Sequence, residues 1–162
     1  MTAPASPIAR ETVAPSPAVA VSARELAGGF FDALNRHDVA AALAALDPAA
    51  PFEVVPAGLR GTAASVGAPF LRALMTSFPD LLVQVRALMG TDALAVAEVK
   101  LEGTQAADFL GILNQEKHLD LDQAWMVWAT GGRISGVRAY WCQNQLYRRL
   151  AVKRLDRISI LG

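Results

Sequence analysis

The chain has 162 residues, 53% of them hydrophobic, which suits a single folded domain and excludes a largely disordered protein. Its 15 basic and 15 acidic side chains balance, so overall charge favours neither nucleic acid nor an anionic membrane as a partner. The single cysteine, Cys142, excludes an internal disulfide. No apolar run reaches the roughly 18 residues of a membrane span. We therefore expect a cytoplasmic protein without membrane contact.

The two ends of the chain differ in composition from its centre. Residues 1–21 are rich in alanine, proline and serine, which predicts an extended arm. Residues 151–162 form a basic tail, for which a solvated segment is the simplest interpretation. The folded domain is therefore expected at residues 22–150.

The domain begins with two predicted helices. Ser22 and Glu25 have the spacing of a capping box, and a helix is predicted to run from there to about Asn35. Asp38 is expected to cap a second helix, over residues 39–46. His37 lies at the junction of these helices, where a structural role is favoured over a catalytic one.

A short strand and a third helix are predicted next. Residues 51–56 read as a strand bounded by prolines, and residues 57–61 as a turn. The third helix should end at Ser77, and two starts are compatible with the sequence. Either Thr62 caps it, or Pro69 occupies its first position after a break.

Four longer strands and a last helix complete the domain. The predicted strands cover residues 81–89, 93–103, 117–128 and 132–141. A tight turn at Gly131-Gly132 joins the last two strands, and the final helix is predicted over residues 143–150.

Side-chain alternation assigns the two faces of these strands. Leu119, Leu121, Gln123 and Trp125 share one face, which we expect to point inward. On the last strand, the inward set is predicted to be Ser135, Val137, Ala139 and Trp141.

The opposite face carries the charged side chains. It includes His118, Asp120 and Asp122, together with Lys100 and Arg138. We expect exposed cross-strand ion pairs here, or a subunit interface on the same surface. A metal site built from His118, Asp120 and Asp122 is disfavoured because further ligands are lacking.

Several short segments of the chain are informative together, because of their order and spacing along the sequence. They are Asn35-Arg36-His37-Asp38, Leu59-Arg60-Gly61, Phe78-Pro79-Asp80-Leu81, Gly103-Thr104-Gln105, Asp108-Phe109-Leu110-Gly111-Ile112 and Gly132-Arg133-Ile134. With them, the chain resembles the SnoaL-like polyketide cyclases of the nuclear transport factor 2-like superfamily over about residues 22–150. The segment Arg138-Ala139-Tyr140-Trp141 is similar to the superfamily branch that contains ketosteroid isomerase.

The resemblance implies an α+β fold. A curved, mixed and mainly antiparallel sheet would wrap around three helices as a cone with an apolar pocket, followed by a short C-terminal helix. The resemblance also implies a homodimer formed through the outer face of the sheet. The expected pocket residues are Phe30, Val54, Val99, Gln105, Gln123, Trp125, Val137 and Trp141.

The chain departs from these families at their functional positions. SnoaL-like cyclases commonly carry a histidine where this chain has Gln105, and their acid/base aspartate falls at Trp125. Ketosteroid isomerase would place its tyrosine at Phe30, its base at Val54 and its second acid at Ala124 or Trp125.

All of these positions are apolar here except Gln105, which is neutral. Glu53 is an alternative carboxylate beside Val54, although alternation with Phe52 and Val54 argues against it.

Without a positioned base and oxyanion donor, the usual proton shuttle of these families is not available. We expect a cofactor-free cyclase- or isomerase-like enzyme of natural-product biosynthesis, acting on a polyketide-like or terpenoid substrate through shape and neutral hydrogen bonds. Candidate catalytic residues are Gln105, Gln123 and Glu53, and neither a metal nor a nucleic-acid partner is expected. The alternative is a non-catalytic or accessory protein that binds a hydrophobic small molecule.

Overall fold

A computed structural model describes residues 21–151 of the chain. The predicted arm and basic tail therefore lie almost entirely outside the described residues. Within residues 21–151, no helix is both long and apolar enough to cross a membrane.

Two helices open the domain, as predicted. Helix α1 covers Ala23–Asn35, and its capping box is complete: the main-chain nitrogen of Ser22 donates to the carboxylate of Glu25 at 2.9 Å, and that of Glu25 donates to the Ser22 hydroxyl at 3.2 Å. Helix α2 covers Val39–Ala44 and begins at Asp38, whose carboxylate accepts from the main-chain nitrogen of Ala41. It ends before the predicted residue 46 because Leu46 forms a parallel bridge with Ile134.

A short hairpin follows, and here the sequence prediction was wrong in one respect. Strand β1 covers Pro51–Val54, and the residues expected to form only a turn include a second strand, β2, at Leu59–Thr62. A turn of 3-10 helix, Val55–Ala57, and Gly58 with a φ of 67° reverse the chain between them. The chain thus reverses over residues 55–58, whereas the sequence predicted a turn over residues 57–61.

The third helical segment uses both predicted start signals. The Thr62 hydroxyl accepts from the main-chain nitrogen of Ser65 at 3.1 Å and caps a π-helical stretch, Ala63–Gly67. Helix α3, Ala68–Ser77, continues from it with Pro69 in its first turn, where a missing amide hydrogen is tolerated.

The remaining elements match their predicted positions to within two residues. Strands β3, β4, β5 and β6 cover Leu82–Gly90, Leu94–Thr104, His118–Thr130 and Arg133–Trp141, and helix α4 covers Gln143–Leu150. The β5–β6 turn uses Gly131 and Gly132 with φ values of 59° and 75°, which glycine adopts without strain.

The six strands form one mixed sheet in the order β2-β1-β6-β5-β4-β3. Only the β1–β6 pair is parallel, and Phe52 of β1 lies opposite Val137 of β6. Helix α1 contacts β3, β4, β5 and β6, which defines the inner face of the sheet. The predicted α+β class, with helices on a mixed sheet and a short C-terminal helix, is confirmed.

A bulge corrects one face assignment on β6. The register between β5 and β6 shifts at Trp128 and Ala129, which pair with Gly136 and Ile134 and leave Ser135 between them. Ile134 is therefore buried, whereas the Ser135 hydroxyl lies 3.3 Å from that of Thr130 outside the core. Alternation alone had placed Ser135 inward.

Candidate functional site

Aromatic rings fill the space between α1 and the inner face of the sheet. Trp125 on β5 is only 1% exposed. Its ring centroid lies 6.0 Å from that of Phe30, 5.7 Å from that of Phe31 and 6.5 Å from that of Phe52. Edge-on and tilted contacts of this kind are the preferred geometries of aromatic pairs. Trp125 is thus the centre of a packed cluster of rings, which we call the aromatic core.

Gln123 is the polar neighbour of this cluster. Its side-chain oxygen accepts a hydrogen bond of 2.7 Å from the indole nitrogen of Trp125, which lies two residues later on the same strand face. Gln123 is 6% exposed, so the pair satisfies two groups that would otherwise be buried without partners.

Gln105 follows β4 and holds the loop between β4 and β5. Its amide nitrogen donates to the carbonyl of Ile112 at 3.3 Å, and its side-chain oxygen accepts from the main-chain nitrogen of Gln115 at 3.3 Å. The side chain is 1% exposed. The loop also contains Leu110 at a φ of 49°, a left-handed conformation that is uncommon for leucine.

Glu53 lies on the outer face of the sheet, as alternation indicated. Its carboxylate contacts the guanidinium of Arg138 at 2.9 Å, and that guanidinium lies 5.7 Å from the ring centre of Trp128. The three candidate catalytic residues are therefore not brought together: Gln123 borders the aromatic core, Gln105 holds a loop, and Glu53 belongs to the opposite face.

The other expected pocket residues lie on the inner side of the fold. Val54, Val99 and Val137 are buried in the core. Trp141 is half-buried, and its indole nitrogen donates to the side-chain oxygen of Gln143 at 2.8 Å. Its ring stacks on Phe70 of α3, with centroids 6.4 Å apart and planes 13° apart.

Open space lies beside the aromatic core, in two adjoining pockets that sequence reasoning missed. The α3 pocket has a volume of ≈ 210 Å³ and is lined by Leu59, Ser65, Val66, Pro69, Phe70, Ala73, Phe109 and Leu110. The α4 pocket has a volume of ≈ 320 Å³ and is lined by Pro56, Ala57, Leu59, Leu110, Gln143 and Tyr147. Leu59 and Leu110 line both, and both come from segments predicted as a turn or a loop.

A third pocket lies on the outer face, around the bulge in β6. Its volume is ≈ 360 Å³, and its lining residues are Pro51, Glu53, Trp128, Ser135, Gly136, Val137 and Arg138. Gly136 leaves room for Trp128, because a β-carbon there would lie 3.3 Å from the indole ring.

Ion pairs cover the other half of the outer face, as predicted. The Lys100 ammonium contacts the carboxylates of Glu102 and Asp120, each at 3.0 Å. The hydrogen bond from Lys100 lowers the pKa of Asp120, while the bonds to Glu102 and Asp120 raise the pKa of Lys100. Among residues 21–151, no group of three His, Cys, Asp or Glu side chains is placed to hold a metal ion.

His37 has a structural position between α1 and α2. Its Nε2 atom lies 2.7 Å from the carbonyl oxygen of Leu81, and its backbone adopts a φ of 59°. The histidine thereby joins the α1–α2 junction to the residue that precedes β3. This contact agrees with the structural role expected from its place in the sequence.

Comparisons with known proteins agree on a fold. The family model described as a SnoaL-like domain matches residues 27–137. Among curated proteins, none matches the chain at a significant level.

Solved structures of low sequence identity have the same fold. A proposed SnoaL-like polyketide cyclase from Jannaschia sp. CCS1 is 15% identical, with 87% of this chain and 100% of that chain covered and a TM-score of 0.71. A proposed polyketide cyclase from Pseudomonas putida KT2440 is 21% identical, with 80% and 98% covered and a TM-score of 0.68. AclR, a proposed hydroxylase from Streptomyces galilaeus, is 15% identical, with 80% and 95% covered and a TM-score of 0.69.

Proposed function

The chain belongs to the SnoaL-like domain family, and we propose that it is a cofactor-free, cyclase- or isomerase-like enzyme of natural-product biosynthesis. Its substrate would be a hydrophobic small molecule of the polyketide-like or terpenoid class. Structural neighbours described as proposed polyketide cyclases support this class, although the fold alone does not transfer an activity.

The neutrality of the buried polar groups carries the proposal. Within residues 21–151, the buried polar or charged side chains are Ser77, Gln105 and Gln123, none of which ionises. A buried acid or base in this part of the chain is thus not available for proton transfer. What the described residues offer a substrate is an apolar surface with neutral hydrogen-bonding groups.

Shape can act on a flexible substrate that reacts with itself. Ring closure joins two atoms of one molecule, and its rate depends on how often they meet in a reactive orientation. Holding a chain in a folded conformation places those atoms close together in advance, and such orientation can contribute up to roughly 7–11 kcal/mol in favourable intramolecular reactions.

A second candidate function is a non-catalytic small-molecule-binding or accessory protein. It is favoured by the hydrogen bonds of the two glutamines, because Gln123 is paired with Trp125 and Gln105 with the loop main chain. Side chains committed to the protein itself hold the fold rather than polarise a substrate.

Turnover distinguishes the two functions. Purified protein is incubated with linear poly-β-ketone thioester analogues and with linear isoprenoid alcohols, and ring-closed or isomerised products are measured by mass spectrometry against heat-denatured protein. Enzymatic function predicts product formation that scales with native protein. Stoichiometric binding of these compounds without any conversion would instead establish the binding protein.

We also propose that two copies of the chain pair through the outer face. Apolar side chains cluster at one end of that face, and we call them the outer apolar group: Met89, Leu94, Val96, Met126 and Trp128. Met89, Val96 and Met126 are neighbours across three strands, and Met89 is 68% exposed. Covering such a row removes apolar surface from water, which favours association.

A further inference from the structure

The aromatic core leaves no room for a ligand at the centre of the fold. Trp125 is almost completely buried, and three phenylalanine rings contact it. Displacing an indole of this burial would require repacking the inner side of the sheet, since protein interiors are close-packed. A ligand must therefore bind elsewhere unless the core itself rearranges.

The α3 and α4 pockets supply space of the right size and character. Leu59 and Leu110 line both pockets, and their volumes of ≈ 210 and ≈ 320 Å³ together fall in the range of small-molecule sites, roughly 300–1,000 Å³. Among residues 21–151, no charged side chain lines either pocket. A charged ligand would lose its hydration here without gaining an ionic partner, so a neutral ligand is favoured.

One end of this space offers a hydrogen-bond donor. Gln143 lines the α4 pocket, and its side-chain oxygen accepts from the indole nitrogen of Trp141, so its amide nitrogen is the group that can donate to a ligand. Tyr147 lines the same pocket. The α3 pocket at the other end is lined mainly by hydrocarbon side chains.

We propose that the α3 and α4 pockets form one ligand site, and that its ligand is a neutral, elongated hydrocarbon chain with a carbonyl oxygen at one end. The chain lies against Phe70 and Leu110, and the carbonyl accepts from Gln143. This site rests on the proposed function and gives it a location, beside the aromatic core rather than within it. Phe70 in turn packs against Phe52 of the aromatic core, with ring centroids 6.3 Å apart.

A filled-pocket variant tests the location. Ala73→Trp places an indole in the α3 pocket from an exposed position of α3, and Thr76→Trp puts the same side chain on an exposed position of that helix outside the pocket. The probe is Nile red, a neutral elongated fluorophore, titrated against both variants and the unaltered chain. We expect Ala73→Trp to weaken binding at least tenfold and Thr76→Trp to change it less than twofold.

A competition assay tests the ligand class. Bound Nile red is displaced with 2-undecanone, a neutral ketone, or with decanoate, an anion of similar length. The ketone should compete better, and Gln143→Leu should weaken the ketone by roughly three- to tenfold, the worth of one hydrogen bond. Decanoate competing as well as the ketone would overturn the ligand class.

The failures of this site and of the proposed function give different results. Equal Nile red affinity in Ala73→Trp and Thr76→Trp would overturn the location while leaving an apolar-ligand function intact. If the unaltered chain binds neither Nile red nor the ketone and converts no candidate substrate, the proposed function falls together with the site. Circular dichroism and melting temperature of each variant verify that it is folded.

Discussion

The indole nitrogen of Trp125 donates to the side-chain oxygen of Gln123 at 2.7 Å, and both side chains are at least nine-tenths buried on the same face of β5. The pair is a neutral contact between two side chains that lie two residues apart on one strand. Each partner is the reason that the other can be buried, because an unpaired indole nitrogen or amide oxygen in this place would lose its hydration without compensation.

A double-mutant cycle on this pair gives the first prediction. Gln123→Leu leaves the indole nitrogen unpaired and should lower the free energy of unfolding by roughly 1–3 kcal/mol. Trp125→Phe leaves the amide oxygen unpaired and also creates a cavity, so its cost should be larger. The combined variant should lose less than the two single losses added together, as measured by urea unfolding. Strict additivity would show that the bond contributes nothing beyond packing.

Gln105 gives the second prediction. Gln105→Leu removes the two side-chain hydrogen bonds that Gln105 makes to the loop over residues 105–117, so the loop around Leu110 should open more often. Hydrogen exchange of the Gln115 amide should accelerate at least tenfold, while amides of α1 keep their protection. If exchange in the loop is unchanged, Gln105 does not restrain it, and a direct role toward a ligand becomes the better interpretation.

The third prediction concerns pairing of two copies. Val96→Glu puts a carboxylate in the middle of the outer apolar group and should shift sedimentation from dimer to monomer at micromolar concentration, without lowering the melting temperature of the monomer. Leu113→Glu is the matched control, because Leu113 is 71% exposed and lies in the loop before β5. The proposed interface would be contradicted if the chain without substitutions sediments as a monomer. It would also be contradicted if Val96→Glu dimerises with the same affinity as that chain.

Asp80 gives the fourth prediction, on pH. The main-chain nitrogen of Thr104 donates to its carboxylate at 2.7 Å, and this bond lowers the pKa of Asp80 below its ordinary value of 3.8. The folded state thus favours the ionised form. The stabilisation should be complete above about pH 4–5 and be lost as the pH falls through the lowered pKa of the folded state.

Asp80→Asn should therefore destabilise the protein at pH 7 and flatten the dependence of unfolding free energy on pH below about 4. Asp92→Asn is the control, since Asp92 uses its main-chain oxygen to accept from Ala23. Urea unfolding at pH 3, 4, 5 and 7 measures the free energy of unfolding of both variants. An Asp80→Asn curve parallel to that of the unaltered chain would exclude a contribution from this carboxylate.

Much of the fold could be predicted because it depends on local patterns. The capping box at Ser22 and Glu25, the turn at Gly131-Gly132 and the alternation along β4 and β5 each act within a few residues, and the structure confirms them. The Lys100–Asp120 contact followed from the same alternation.

The errors arose where distant segments decide the local structure. Strand β2 forms because β1 pairs with it, and nothing in Leu59-Arg60-Gly61 alone favours a strand over a turn. Ser135 was placed inward because a bulge is invisible to simple alternation. The pockets around Leu59 and Leu110 were missed for the same reason, because they form where β2, α3, α4 and a long loop meet.

The parallel pairing of β1 with β6 has a consequence for biosynthesis. Phe52 finds its partner, Val137, only after most of the chain has been synthesised. Until then, the β1–β2 hairpin has no neighbour on its inner edge, and an isolated two-stranded hairpin is marginally stable. The nascent chain should therefore complete its sheet only after β6 has been synthesised.

A fragment that ends at residue 132 tests whether folding of the sheet depends on β6. It contains β1 to β5 but not β6, so both β1 and β5 would present an unpaired edge. We expect rapid proteolysis within residues 51–62 and aggregation, both of which should be absent from the full chain. Strand β6 covers the edges of both β1 and β5 in the complete sheet. A chain that stops before β6 leaves these edges exposed, so we expect proteases to degrade it before it accumulates in a partly folded form.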